Sequence, residues 1–110
     1  MAVIHSLDIT RNQYKILLDL LEKYLPSVTV WAYGSRVKGV ARPQSDLDLV
    51  AFSSPKQHQS VSALREALEE SNLPFRVDLF VWDEIPPQFR ETIHHAHIVL
   101  TDAQNSHLTS

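Results

Sequence analysis

The sequence predicts an α/β (α+β) fold, a small mixed β-sheet flanked by helices. Three short runs rich in β-branched and aromatic residues, "VTVWAY", "DLDLVAF" and "FRVDLFVW", have the composition of strands. Segments with apolar residues at helical spacing stand before and between them. The resulting order, αβ(α)βαβαβ, is that of helices packed on a sheet.

The first helix starts at Thr10. Thr10 and Gln13 have the form of a capping box, which satisfies amides otherwise unpaired at a helix start. Tyr14, Leu17, Leu18, Leu21 and Leu25 then recur on one stripe, with Arg11, Lys15, Asp19, Glu22 and Lys23 on the other faces. Pro26 ends the helix, because its ring cannot continue the hydrogen-bond ladder. Val28 to Tyr33 is the first strand. Gly34-Ser35 follows directly, and a short helical turn is expected from Ser35 toward Gly39. Arg42 to Ser45 is a loop, and Asp46 to Phe52 the second strand.

Ser53-Ser54-Pro55 closes that strand. A helix is predicted from about Ser60 to Ser71, with Val61, Leu64, Ala67 and Leu68 on its stripe and Asn72 and Pro74 at its end. Phe75 to Trp82 is the third strand. Pro86-Pro87 opens a short helix through about His95, and "HIVL" has the makings of a last strand. The polar stretch 102–110 is expected to fray.

At 110 residues the chain is expected to form one domain, 1–110, around one modest core. The formal net charge of -3 gives no global basic field, which argues against direct nucleic-acid binding. The absence of cysteine excludes disulfides and thiolate metal sites. No apolar run approaches the ~20 residues of a membrane span, and "MAVIHSLDIT" lacks the form of a signal peptide. A cytoplasmic protein without a membrane association is expected.

Both glycines of the chain, Gly34 and Gly39, fall in "YGSRVKGVARPQSDLDLVAF". A strand followed by Gly-Ser and a helical turn suits a phosphate. Glycine lets the backbone approach closely, and free amides at the turn point at the anion. The Ser35 hydroxyl adds a donor. Arg36, Lys38 and Arg42 are flanking candidates for neutralising a polyphosphate. Alone, a Gly-Ser pair is simply a tight turn.

Side chains alternate across a strand, so Asp46 and Asp48 point the same way, while Leu47 and Leu49 point toward the helices. Asp78, in "VDLF", has the same setting. If the second and third strands pair, three carboxylates share one face. They then need protons, cationic side chains or a divalent metal to coexist. Hard oxygen donors on a rigid strand suit Mg²⁺. A lone D-x-D is more often the solvent-facing row of a half-buried strand; the third acid and the preceding turn weaken that reading here. Arg76, two residues before Asp78, is placed to pair an acid or a phosphate, or to stand exposed. His94, His95 and His97 lack a ligand set at metal spacing and read as a helix C-terminus.

Gly34-Ser35, ten intervening residues, Asp46-x-Asp48, and Asp78 in a later strand resemble the DNA polymerase β-type nucleotidyltransferase superfamily. More narrowly, the chain from about Thr10 to Val99 resembles the minimal nucleotidyltransferase (MNT) family. The resemblance implies that Gly34 and Ser35 hold the triphosphate. It implies that Asp46 and Asp48 bind two Mg²⁺ ions, and that Asp78 shares the second and helps activate the attacking hydroxyl. Two metals suit an in-line phosphoryl displacement.

Larger members of that superfamily carry acceptor-binding domains, for which this chain is expected to have no room. It thus resembles the antitoxin of HEPN/MNT toxin–antitoxin pairs. There the MNT protein transfers AMP from ATP to a tyrosine of an all-helical HEPN partner. Two alternatives stand beside this expectation: a module that neutralises its partner by stoichiometric binding, and a nucleotidyltransferase for small molecules of aminoglycoside type.

Overall fold

The computed structural model describes residues 7–39, 42 and 45–103, with Lys38 described by its backbone alone. Pro43, Gln44 and 104–110 therefore lie outside the described residues, as does most of the stretch expected to fray. Helix α1 is Arg11–Tyr24. The Thr10 hydroxyl accepts from the Gln13 amide, and the Gln13 side chain accepts from the Thr10 amide, so the predicted capping box forms. Leu17 and Leu21 are fully buried, each contributing about 1.5–3 kcal/mol of apolar burial.

Strand β1 (Val30–Tyr33) leads through Gly34 into α2 (Ser35–Lys38), the expected single turn. Gly39 ends α2 in a left-handed conformation, its amide donating to the Ser35 carbonyl. Strand β2 is Leu47–Ala51, so Asp46 stands just before it. A 3-10 turn, Pro55–Gln57, then starts helix α3 (His58–Glu69) two residues earlier than the apolar stripe suggested. Its signal is Ser54-Pro55-Lys56-Gln57, a second reciprocal cap with proline in the first turn.

Strand β3 is Val77–Val81, and the 3-10 turn Trp82–Glu84 leads to α4 (Pro87–His95) and β4 (His97–Thr101). The strand order is β3-β2-β1-β4. β1 is antiparallel to β2 and β4, and β2 is parallel to β3, so the sheet is mixed as expected. The β2–α3–β3 crossover is what a parallel pair requires.

One sheet face carries Val30, Ala32, Leu47, Leu49, Ala51, Leu79, Ile98 and Leu100, packed with Leu17, Leu21, Val61, Leu64 and Leu68 of α1 and α3. The other face is divided. Its lower part holds a second core of Val50, Ile85 and Ile93, with Trp31, Tyr33, Phe52 and Trp82 against it and α4 on top. His97 stacks on Trp31 at 3.7 Å between ring centroids, so one of the three histidines is spent on packing. The upper part carries the acids.

Candidate active site

The site is built by register. Tyr33 pairs with Asp48 across β1 and β2, and Asp48 pairs with Asp78 across β2 and β3. The second and third strands therefore pair, in parallel. Asp48 and Asp78 point from neighbouring strands to the face away from α1 and α3. Asp46 is exposed just before β2 and close enough to act on Asp48 electrostatically.

Asp48 carries the strain of this arrangement. Burial, then the negative charges of Asp78 and Asp46, push its pKa from 3.8 up to about 6. Tyr33 is pushed up to about 12 by burial and by the same charges of Asp48 and Asp78. Asp78 has a partner: Arg76 Nε lies 2.8 Å from its Oδ1. The Arg76 side chain is 76% exposed, so this pair is weakly held and easily exchanged. No cation pairs with Asp48 among the described residues.

Gly34 explains why the turn before the acids needs a glycine. Its φ of +89° and ψ of -156° belong to a region that side chains avoid. A Cβ there would also lie 2.6 Å from Asp48 Oδ2. The absent side chain thus makes room for the carboxylate as well as for any ligand. Ser35 opens α2 directly beyond it.

The flanking cations separate. Arg36 is buried, 5% exposed, and faces inward. Its guanidinium donates to the carbonyls of Asp8, Ser45 and Arg42 at 2.8, 3.0 and 3.3 Å and lies 4.1 Å from the Phe75 ring centroid. The expectation of phosphate contact gives way here to a brace that ties α2 to the loop before β2. The cause is local: the carbonyls of Asp8, Ser45 and Arg42 come from separate segments, and one planar guanidinium fork reaches all three. Arg42 is exposed, and its amide and carbonyl bond Ser45 reciprocally. The Lys38 side chain lies outside the described residues.

Sequence reasoning passed over Arg65. Its Nε and Nη2 donate to the Leu79 carbonyl at 3.0 and 2.8 Å, capping the outer edge of β3. Its only signal was an arginine on the exposed side of α3. Among the described residues, no group of three or more His, Cys, Asp or Glu is placed to hold an ion as it stands. The donor set nonetheless fits Mg²⁺. It is all carboxylate oxygen, and its central member is half-buried and crowded by like charge.

A glycine turn set against a carboxylate, with a second carboxylate in register beside it, on a β3-β2-β1-β4 sheet backed by helices, defines a nucleotidyltransferase. The chain belongs to the "Polymerase beta, Nucleotidyltransferase" family, whose model matches residues 15–106. It is 40% identical over 102 residues to the probable protein adenylyltransferase MntA of Haemophilus influenzae, covering 92% of this chain and 90% of that one. Solved structures share the fold at low identity. One is a toxin–antitoxin crystal structure with AMP-PNP, at TM-score 0.59 and 17% identity, covering 84% of this chain and 76% of that one. Another holds a tri-AMPylated Shewanella oneidensis HEPN toxin in complex with MNT antitoxin, at TM-score 0.53 and 14% identity, covering 92% and 79%.

Proposed function

We propose that this chain transfers AMP from ATP to a tyrosine hydroxyl of a helical HEPN-type partner and serves as the antitoxin of that pair. The observation that carries the reading is the register that stands Asp78 beside Asp48 under the Gly34 turn. Its support in kind is the 40% identical relative named as a probable protein adenylyltransferase.

In this reading Gly34 and the Ser35 amide and hydroxyl receive the triphosphate. Asp46, Asp48 and Asp78 would hold two Mg²⁺ ions, which supply charge neutralisation at the entering and leaving oxygens. Asp78 exchanges its Arg76 partner and accepts the proton of the attacking hydroxyl. The acceptor oxygen bonds to the α-phosphorus, and the bond to pyrophosphate breaks in line with it. Asp48 stays unprotonated only above its raised pKa. No covalent nucleophile is required, so positioning and charge carry the rate.

The test is the intact mass of the HEPN partner after incubation with this chain, ATP and Mg²⁺. The expected result is a gain of whole AMP units, lost with Asp46→Asn while that variant stays folded. A stable complex with no mass gain would refute transfer and leave stoichiometric binding.

A further inference from the structure

Between α4 and the exposed edge of the acid-bearing face lies a cavity of about 350 Å³, walled by Tyr33, Phe80, Ile85, Phe89 and Ile93. This volume is at the small end of ligand pockets, the size for one ring system rather than a whole nucleotide. Phe80 and Phe89 are 42% and 57% exposed, unusual for phenylalanine, and both turn toward this cavity. The Tyr33 and Phe80 ring centroids lie 6.5 Å apart. Tyr33 is the register partner of Asp48, and Phe80 lies two residues from Asp78 on the same strand face. The cavity therefore begins one side-chain step from the acids, about 7 Å along the strands.

Resting on the adenylyltransferase reading, we propose that this cavity seats the aromatic ring of the acceptor tyrosine, presented by a partner segment with cationic residues beside it. The order of groups along the sheet face selects this occupant over the nucleotide base. The phosphate turn, Gly34-Ser35, lies beyond the strand end. The acids come next, and the cavity lies on their far side. In-line displacement puts the attacking oxygen opposite the departing pyrophosphate. With the pyrophosphate at the turn, the attacking hydroxyl comes from the cavity side. A phenol whose ring lies between Phe80 and Phe89 points its hydroxyl along that line. Edge and face contacts with two phenylalanines suit another six-membered aromatic ring. Glu84 lines the cavity, and Asp48 and Asp78 stand one side-chain step beyond its walls, so cationic neighbours of the tyrosine complement the negative charge around it.

The test reads binding, independent of transfer. Amide chemical shifts of the protein are followed by NMR during titration with acetylated, amidated Lys-Tyr-Lys, Lys-Ala-Lys and Glu-Tyr-Glu peptides, with and without saturating ATP and Mg²⁺. Lys-Tyr-Lys is expected to shift Ile85, Phe89, Thr92 and Ile93. Its affinity should exceed that of the other two peptides at least fivefold, and ATP should leave its shifts in place. Phe89→Ala, at an exposed position, should weaken Lys-Tyr-Lys at least fivefold and leave ATP affinity unchanged. The proposal is overturned if ATP abolishes the peptide shifts or Phe89→Ala weakens ATP, since the base then fills the cavity. It is overturned equally if Lys-Tyr-Lys shifts nothing there or binds no better than Lys-Ala-Lys. Failure of AMP transfer in the intact-mass assay, with the peptide response intact, would count against the adenylyltransferase reading and leave the ring site standing.

Discussion

Asp48→Asn is expected to stabilise the metal-free protein while abolishing transfer. The Asp48 carboxyl titrates near 6 in the fold and near 3.8 when unperturbed, because burial and the charges of Asp78 and Asp46 oppose its ionisation. The folded state thus holds this proton more tightly than the unfolded chain. Below pH 4 both states are protonated and Asp48 costs nothing. Between pH 4 and 6 the unfolded chain ionises first, and stability falls. Above pH 6 the full penalty is present. Raising this carboxyl from 3.8 to about 6 corresponds to about 3 kcal/mol, and solvent screening of a half-buried group reduces this to about 1–2 kcal/mol. Asparagine keeps the shape without the charge. Urea unfolding followed by circular dichroism, in EDTA, reads the effect directly. At pH 7.5 the variant midpoint should lie higher by roughly 1 M, with an unchanged slope. At pH 4 the gap should close. Mg²⁺ should then stabilise the parent at pH 7.5 and act less on the variant. An equal or lower midpoint for Asp48→Asn at pH 7.5, or a gap independent of pH, would refute the crowding of these acids.

Gly34→Ala should lower stability by about 1–3 kcal/mol, from the positive φ and the contact with Asp48 Oδ2. Adding Asp48→Ala should recover part of that loss in the same urea assay, and strict additivity would sink the steric account. Arg36→Met should cost about 1–3 kcal/mol by taking this donor from the Asp8 and Ser45 carbonyls and leaving the Arg42 carbonyl with the Ser45 amide alone. Lysine should not rescue it, because one ammonium cannot span the fork; a mild effect of Arg36→Lys would contradict the bracing role. Thr10→Ala removes the α1 cap and should cost about 1 kcal/mol, measured as a urea midpoint shift with transfer unaffected.

Much of the fold was legible because its signals are local. Thr10 and Gln13 lie within one helical turn, so their reciprocal cap could be read directly. The apolar stripe of α1, the β-branched strand runs and Pro26 are equally short-range. Where reading slipped, a local signal was outweighed by a more obvious one. The apolar stripe of α3 begins at Val61, yet Ser54 and Gln57 had already started the turn. Arg36 misled for another reason. An arginine beside a phosphate-type turn has two directions available, and nothing within its own segment says which carbonyls will face it.

The sequence by itself determined the order of helices and strands, the glycine at the turn and the three acids on strand-like segments. Periodicity, caps and chirality act over a few residues, and those residues are adjacent in the chain. Only the tertiary structure decided that Asp48 stands opposite Asp78, that Gly34 yields its Cβ space to a carboxylate, that Arg36 turns inward, and that α4 leaves an aromatic cavity beside the acids. β2 and β3 meet across a crossover helix, with Leu47, Leu49 and Leu79 sharing one core with Val61, Leu64 and Leu68 of α3, a long-range arrangement that no segment of the chain encodes alone.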